Sequence, residues 1–489
     1  MISSRRVTGS APTLPLLFTI CICTMAQAAP AEETWMSVLL DGHKIGSMHT
    51  TRAVEGNRVV TSQRLQVEFE RTGTKISLME SETDEETLDG TPLRFESRTK
   101  ASGVENFTRG EVRDGQEVEV HSRIGGANQS RTLRWPQGAL LAEGLRLAEL
   151  RAGLAPGTRY SSLAFQPDNL QAIAVDSVVG ESALVDLPDG ARTLTKIEQT
   201  IRLPDAPAKS VAWVDSDQTV AKLVMPIMGY ELTMIACSKA CAQAPNQSAD
   251  ILAHGIVAAP RALSAGERKR SITLKLSASD GGDALQFAQT DEQTVVSANG
   301  SVTLRIAPID PQRASIERKP DAGDSKPNDW LQSDAPEIVA LASEGAAGAK
   351  SPREQMQQLE GFVRRFIRTK DLSIGYASAL EVARRPEGDC TEHAVLLAAL
   401  GRALGIPTRV VDGLAYVDAY AGKQHVFVPH AWTQAYVDGH WQSFDAALAG
   451  FDAGHVVLSY GDGDPWRFFS AFNTLGRIRM DAVEEAAAP

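Results

Sequence analysis

Three residues able to act as a nucleophile, a base and an orienting acid occur in order in the last quarter of the chain: Cys390, His430 and Asp445. Cys390 lies near the start of the stretch GDCTEHAVLLAALGRALGIPTRVV, residues 388–411. Asp389 is a good N-cap, and Glu392, three residues later, can close a capping box by reaching back to the cap's backbone N–H. This pattern predicts a helix with Cys390 in its first turn. There the unpaired N–H groups and the positive end of the helix dipole favour thiolate over thiol, so the expected cysteine pKa is lowered. Downstream, Ala394, Leu397, Ala398, Leu400 and Leu404 keep helical spacing, Gly405 suits the αL residue that ends a helix, and Pro407 stops its continuation. The nucleophile is therefore expected on a rigid, buried support.

A base for this cysteine is offered by HAWTQAYV, residues 430–437, followed by Asp438-Gly439 and by HWQSFD, residues 440–445. Asp-Gly is a preferred two-residue turn, and its flanks are rich in aromatic and β-branched residues, so the stretch predicts a β-hairpin. With the turn at Asp438-Gly439, Val437 pairs with His440 and, counting outward, Trp432 pairs with Asp445. His430 then shares a face with Asp445, whereas His440 falls on the opposite face. Diagonal cross-strand neighbours lie roughly 7–8 Å apart, within reach of an imidazole and a carboxylate. The hairpin thus selects His430 as the base and Asp445 as the group that orients its ring.

Each of these residues also has a plainer reading. A lone cysteine is more often an inert buried residue than a nucleophile, and a lone histidine is usually structural. Asp445 can simply end a strand. The capped helix start and the matching hairpin favour chemistry for Cys390, His430 and Asp445, while His393, one turn from the cysteine, is read as packing or polar support. His425 and His440 are given structural readings.

The same residues resemble the transglutaminase-like superfamily, a papain-type group with a Cys-His-Asp triad. The likeness rests on GDC-TEHA at the helix start, RALGIPTRVV leading into a strand, the HAWTQAYV strand and the WQSFD strand, in the family's order. Gln434 stands where bacterial members commonly have Glu, and Asp445 is followed by Ala-Ala where Pro-Thr is usual. The resemblance implies an α+β, papain-like domain over residues 329–489 with Cys390, His430 and Asp445 as its triad. It also implies attack on an amide carbonyl through a thioester, with a protein or peptide as substrate. Hydrolysis is the favoured outcome; acyl transfer to a second amine and a catalytically silent envelope module are the alternatives. No cofactor or metal is called for.

The elements that must position the site come from a chain of 489 residues with a net charge of -12, long enough for several cores. The acidic balance argues against general nucleic-acid binding, and no DNA or RNA motif is visible. Residues 1–28 carry Arg5 and Arg6, an apolar run and an Ala-Gln-Ala ending, which read as a cleavable secretory signal and predict a periplasmic or extracellular protein. An uncleaved anchor is the lesser alternative, and no later stretch is long and apolar enough to span a membrane. Removal of the signal leaves Cys237, Cys241 and Cys390. In an oxidising compartment the first two can form a local disulfide, leaving Cys390 as the free thiol.

The remainder reads as β-rich. Residues 29–245 form an antiparallel domain, seen in the alternation of Leu65, Val67 and Phe69 with Arg64, Gln66, Glu68 and Glu70, with a short helix between Gln137 and Leu150. The opening, a Trp35 strand, a turn and then Lys44-Ile45-Gly46, is similar to β-rich regions that precede transglutaminase-like domains in bacterial envelope proteins. Residues 246–309 suggest a small β-sandwich, and residues 310–328, polar and proline-containing, a linker. Two helices, over residues 352–369 and 377–384, are expected to pack around the cysteine helix.

Overall fold

The computed structural model describes residues 31–485 apart from 72, 102–103, 204–206, 228, 252–254, 281–284, 370–375, 449 and 465–473. The expected signal, residues 1–28, lies outside the described residues. No helix among them is long and apolar enough to cross a membrane.

Alternating apolar and polar residues give strands with one buried face, and the N-terminal region builds a 15-stranded sheet from them. Its first eight strands run as a meander from Glu32–Leu40 to Ala127–Arg134. The remaining seven run from Ala139–Leu140 to Tyr230–Ala236, which returns to pair antiparallel with Glu32–Leu40. The two edge strands are consecutive in sequence, so the sheet curls, and Phe95, Val118, Val120, Trp135, Leu141 and Phe165 pack inside it. The predicted short helix is Ala142–Ala152. Cys237 and Cys241 are joined as a disulfide.

Where the sequence suggests a small sandwich over 246–309, the strands form one layer: Gln293–Ala298, Ser301–Ile306 and Ile272–Ala278, completed by the C-terminal strand Ile478–Glu485. The facing layers come from the neighbouring sheets. Leu274, Leu304 and Ile306 share a single core with Val38 and Val67 of the N-terminal sheet and with Leu414, Phe427 and Val456 of the C-terminal region. Burial of this apolar surface joins the three regions.

The 310–328 stretch is no loose linker. Glu317 is buried and pairs with buried Arg409, at 3 % and 1 % side-chain exposure, and the Trp441 indole N–H donates to the Arg318 carbonyl. Its polar composition reflects partners supplied by the fold, because a buried charge must be paired.

The C-terminal region is α+β. A five-stranded sheet contains Thr408–Tyr420 paired on one side with Lys423–Val437 and on the other with His455–Gly461. Helices Pro336–Gly345, Pro352–Phe366 and Ala379–Arg384 surround Cys390–Ala403. The last of these is buried from Thr391 to Arg402. It is therefore a core helix rather than an amphipathic one.

Candidate active site

The cysteine helix begins as its sequence dictates. Asp389 accepts from the Thr391 N–H at 2.9 Å, and Glu392 accepts from the Asp389 N–H at 2.8 Å, closing the capping box. Gly388 has a φ of +146°, and a Cβ there would run into the Glu392 side chain, so a glycine is required for the box to fold back. Cys390 is the first helical residue and is half-buried. His393 is buried, with Nδ1 bonded to the Asp389 carbonyl oxygen at 2.5 Å, in a supporting position.

The hairpin has the predicted register. Val437 faces His440 across Asp438-Gly439, both of which have positive φ. The strand Lys423–Val437 is tied to the cysteine helix by the Thr433 hydroxyl, which donates to the Ala394 carbonyl at 2.8 Å. On the opposite face of the strand His430 Nε2 meets Asp445 Oδ2 at 2.8 Å, with both residues buried. His440 points elsewhere and lies 3.4 Å from Asp291, and His425 bonds the Tyr416 hydroxyl. The Cys390 thiol accepts the backbone N–H of Ala431, the residue that follows His430. Nε2 is engaged by Asp445, and no hydrogen bond joins the His430 ring to the Cys390 thiol in this structure.

Asp445 is held on every side. Oδ1 accepts from the Ala447 and Leu448 N–H groups at 2.8 and 3.0 Å, its own N–H donates to Glu360 at 2.7 Å, and its carbonyl accepts from Arg364 at 2.9 Å. A second imidazole, His455, reaches the same Oδ2 with Nε2 at 3.0 Å and places Nδ1 beside Asp452. Burial opposes charging of His455, but the two carboxylates outweigh it and raise its pKa to about 9. Burial likewise raises Asp445, yet the charge and hydrogen bond of His430, with those of His455, hold its carboxyl well below the usual range. His455 was not singled out from the sequence. It lies on a separate strand, and no local spacing links it to the hairpin.

The thiol departs from the sequence expectation. Burial pushes the Cys390 thiol up, Asp389 beside it adds to the effect, and Arg71 and the Ala431 N–H pull it down without prevailing. The helix start was expected to favour the thiolate, but desolvation of a charge outweighs the end of a helix dipole. Cys390 is therefore a thiol at rest.

His430, Asp445 and His455 bring three donor atoms within 4.8 Å of one another, a set able in composition to hold a metal. In this arrangement both imidazoles point N–H groups at one carboxylate oxygen. Both nitrogens of His455 are engaged, Nε2 by Asp445 and Nδ1 by Asp452. The geometry is that of a hydrogen-bonded relay.

The fold and the order of these groups define a class. Residues 339–446 match the family described as the Transglutaminase-like superfamily, and this span contains Cys390, His430 and Asp445 but stops short of His455. The C-terminal region thus carries a transglutaminase-like core domain. Among solved structures, the chain is similar to a protein from Cytophaga hutchinsonii provisionally described as a cysteine protease, at 19 % identity and a TM-score of 0.28, covering 44 % of this chain and 85 % of that one. It is also similar to a β-barrel-like protein of a domain of unknown function from Brucella abortus, at 13 % identity and a TM-score of 0.35, covering 42 % of this chain and 96 % of that one. A third, from Parabacteroides distasonis and provisionally described as a protease, has 11 % identity and a TM-score of 0.19, covering 74 % of this chain and 69 % of that one. These likenesses are too distant to bear on the chemistry. No curated protein matches the sequence.

Proposed function

We propose that the protein is an exported thiol amidohydrolase that cleaves amide bonds of proteins or peptides through Cys390, His430 and Asp445. The observation that carries this reading is the buried His430–Asp445 hydrogen bond at 2.8 Å, with the thiol seated on the N–H of the next residue. Export rests on the signal-like character of residues 1–28.

In this reading the Cys390 S–H proton passes to His430 Nδ1 as sulfur bonds to the amide carbon. The oxyanion formed lies near the Cys390 N–H, which, at the first helical position, falls outside the helix's own hydrogen-bond ladder. The imidazolium then protonates the leaving amine as the C–N bond breaks, giving a thioester. Water, deprotonated by the same imidazole, attacks the thioester and releases the acid and the thiol. Asp445 accepts the Nε2–H throughout, which fixes the tautomer.

The test is incubation of the secreted protein with a peptide mixture, with and without an excess of a primary amine, reading new termini and trapped acyl-enzyme by mass spectrometry. New carboxyl termini that vanish in Cys390→Ala and persist under excess amine support hydrolysis. Amine incorporation in place of new carboxyl termini would replace hydrolysis with acyl transfer. No Cys390-dependent adduct or product would overturn the enzymatic reading.

A further inference from the structure

The charges around the thiol do not balance within the C-terminal region alone. Glu392 is pushed up to about 8 by burial and by Asp389, so near pH 7 it is neutral. Asp389 is then the anion beside Cys390. Its partner comes from 318 residues upstream: Arg71, the last residue of strand Arg58–Arg71 in the N-terminal sheet, donates from Nη2 to Asp389 Oδ2. Arg71 retains 17 % side-chain exposure and Asp389 retains 7 %. The other titratable groups around this corner are His393 on the cysteine helix, His430 with Asp445 and His455 behind it, and Tyr376, which with Asp412 lies near Glu392.

Arg71 is delivered by a built contact. The strand end is fixed where the Glu70 N–H donates to the Ala249 carbonyl at 2.7 Å and the Ile251 N–H donates to the Glu70 carbonyl at 3.0 Å. On the same sheet, the Gly125-Gly126 turn offers its carbonyls to the Ser378 hydroxyl at 3.0 Å and to Arg384 at 3.2 Å, beside the helix that precedes the cysteine. A Cβ on Gly125 would strike the Ser378 side chain, so the approach depends on glycine. Arg131 pairs with Asp329 at 3.2 Å along the same boundary.

We propose that Arg71 is a positioning residue of the Cys390 centre: its charge, held beside the thiol by the Asp389 carboxylate that caps the cysteine helix, makes ionisation of the thiol depend on docking of the N-terminal sheet. The sheet then completes the active site instead of merely accompanying it. For its consequence in catalysis the inference rests on the proposed function; for the ionisation itself it stands alone.

The experiment measures the rate of Cys390 alkylation by iodoacetamide in the full chain from about pH 6 to about pH 10. Wild type is compared with Arg71→Met, Arg71→Lys, Asp389→Asn, the Arg71→Met/Asp389→Asn double variant and His430→Ala. Loss of a cation at this range produces a further rise of about one unit in the thiol's pKa, read below the midpoint as about a tenfold fall in rate. Arg71→Met is expected to show this rise and Arg71→Lys to recover most of it. Asp389→Asn, which keeps an N-cap, is expected to raise the rate, and in its background Arg71→Met should still slow labelling, because the Arg71 charge acts on the thiol directly. Superposed profiles for wild type and Arg71→Met would overturn the inference. So would faster labelling of Arg71→Met at every pH, the mark of simple undocking. Labelling indifferent to His430→Ala would count against the enzymatic reading while leaving the Arg71 result to be judged separately.

Discussion

His455 supplies the most exposing test of the relay. It is buried at 3 % exposure, its Nε2 holds Asp445 and its Nδ1 faces Asp452. Its pKa rises from 6.5 to about 9 because the two carboxylates outweigh the cost of burial. The shift is a gain in proton affinity on folding, so the stability it contributes is fully present below pH 6.5 and is lost as the pH rises through about 9. At about 1.4 kcal/mol per unit, the loss across that window is about 3 kcal/mol. The depressed carboxyl of Asp445 rests first on His430 and only in part on His455, so it is not added to this figure.

The perturbation is His455→Gln, which keeps a polar side chain but takes up no proton. Urea unfolding followed by tryptophan emission is well suited, since the Trp432 ring sits edge-on to His455 with centroids 5.2 Å apart. Wild type is expected to lose about 3 kcal/mol between about pH 6 and about pH 9.5, while the variant's curve lacks that slope. The gap between the two proteins should therefore be widest in mild acid and close in alkali. A gap of constant size across the range would refute a charged His455.

Asp445→Ala leaves the His455 cation buried without its partner and His430 without its acceptor; a loss of about 3–5 kcal/mol in urea unfolding and of at least about a hundredfold in Cys390-dependent turnover is expected. Glu317→Ala strands the buried Arg409 guanidinium, which lies over the Trp441 and Tyr460 rings, and should destabilise the C-terminal region by about 3 kcal/mol in the same assay. Asp84, at 2 % exposure, is raised from 3.8 to about 7 by burial and by Glu86. An acid with a raised folded pKa loses stability as the pH rises through this window, so Asp84→Asn should stabilise the N-terminal sheet at about pH 8 by about 1 kcal/mol or more, with little gain at about pH 4 in thermal melts.

What could be read from the sequence was what the chain encodes locally. The Asp438-Gly439 turn fixes a register, and with a period of two residues that register decides which histidine faces Asp445. Asp389 and Glu392 mark the helix start through contacts only three residues apart. His455 and Arg71 enter the site from a different strand and from a different sheet, and the pairing that brings them there is non-local. Residues 310–328 read as a linker from their polarity, and the buried Arg409 that anchors them through Glu317 lies far along the chain. The C-terminal strand could not be assigned to the small sheet either, since nothing near Ile478–Glu485 specifies Ile272–Ala278 as its partner.

The thiol combines both kinds of information. Its place at a helix start is local, and on that ground alone it would ionise readily. Its burial and its charged neighbours are set by the whole fold, and these reverse the outcome. A buried thiol beside a carboxylate is inert until a base and a compensating cation are in place. The proposed base is on the hairpin, and the cation is on the N-terminal sheet. Reactivity of Cys390 is thus a property of the assembled chain, because neither region alone supplies the charges that a thiolate needs.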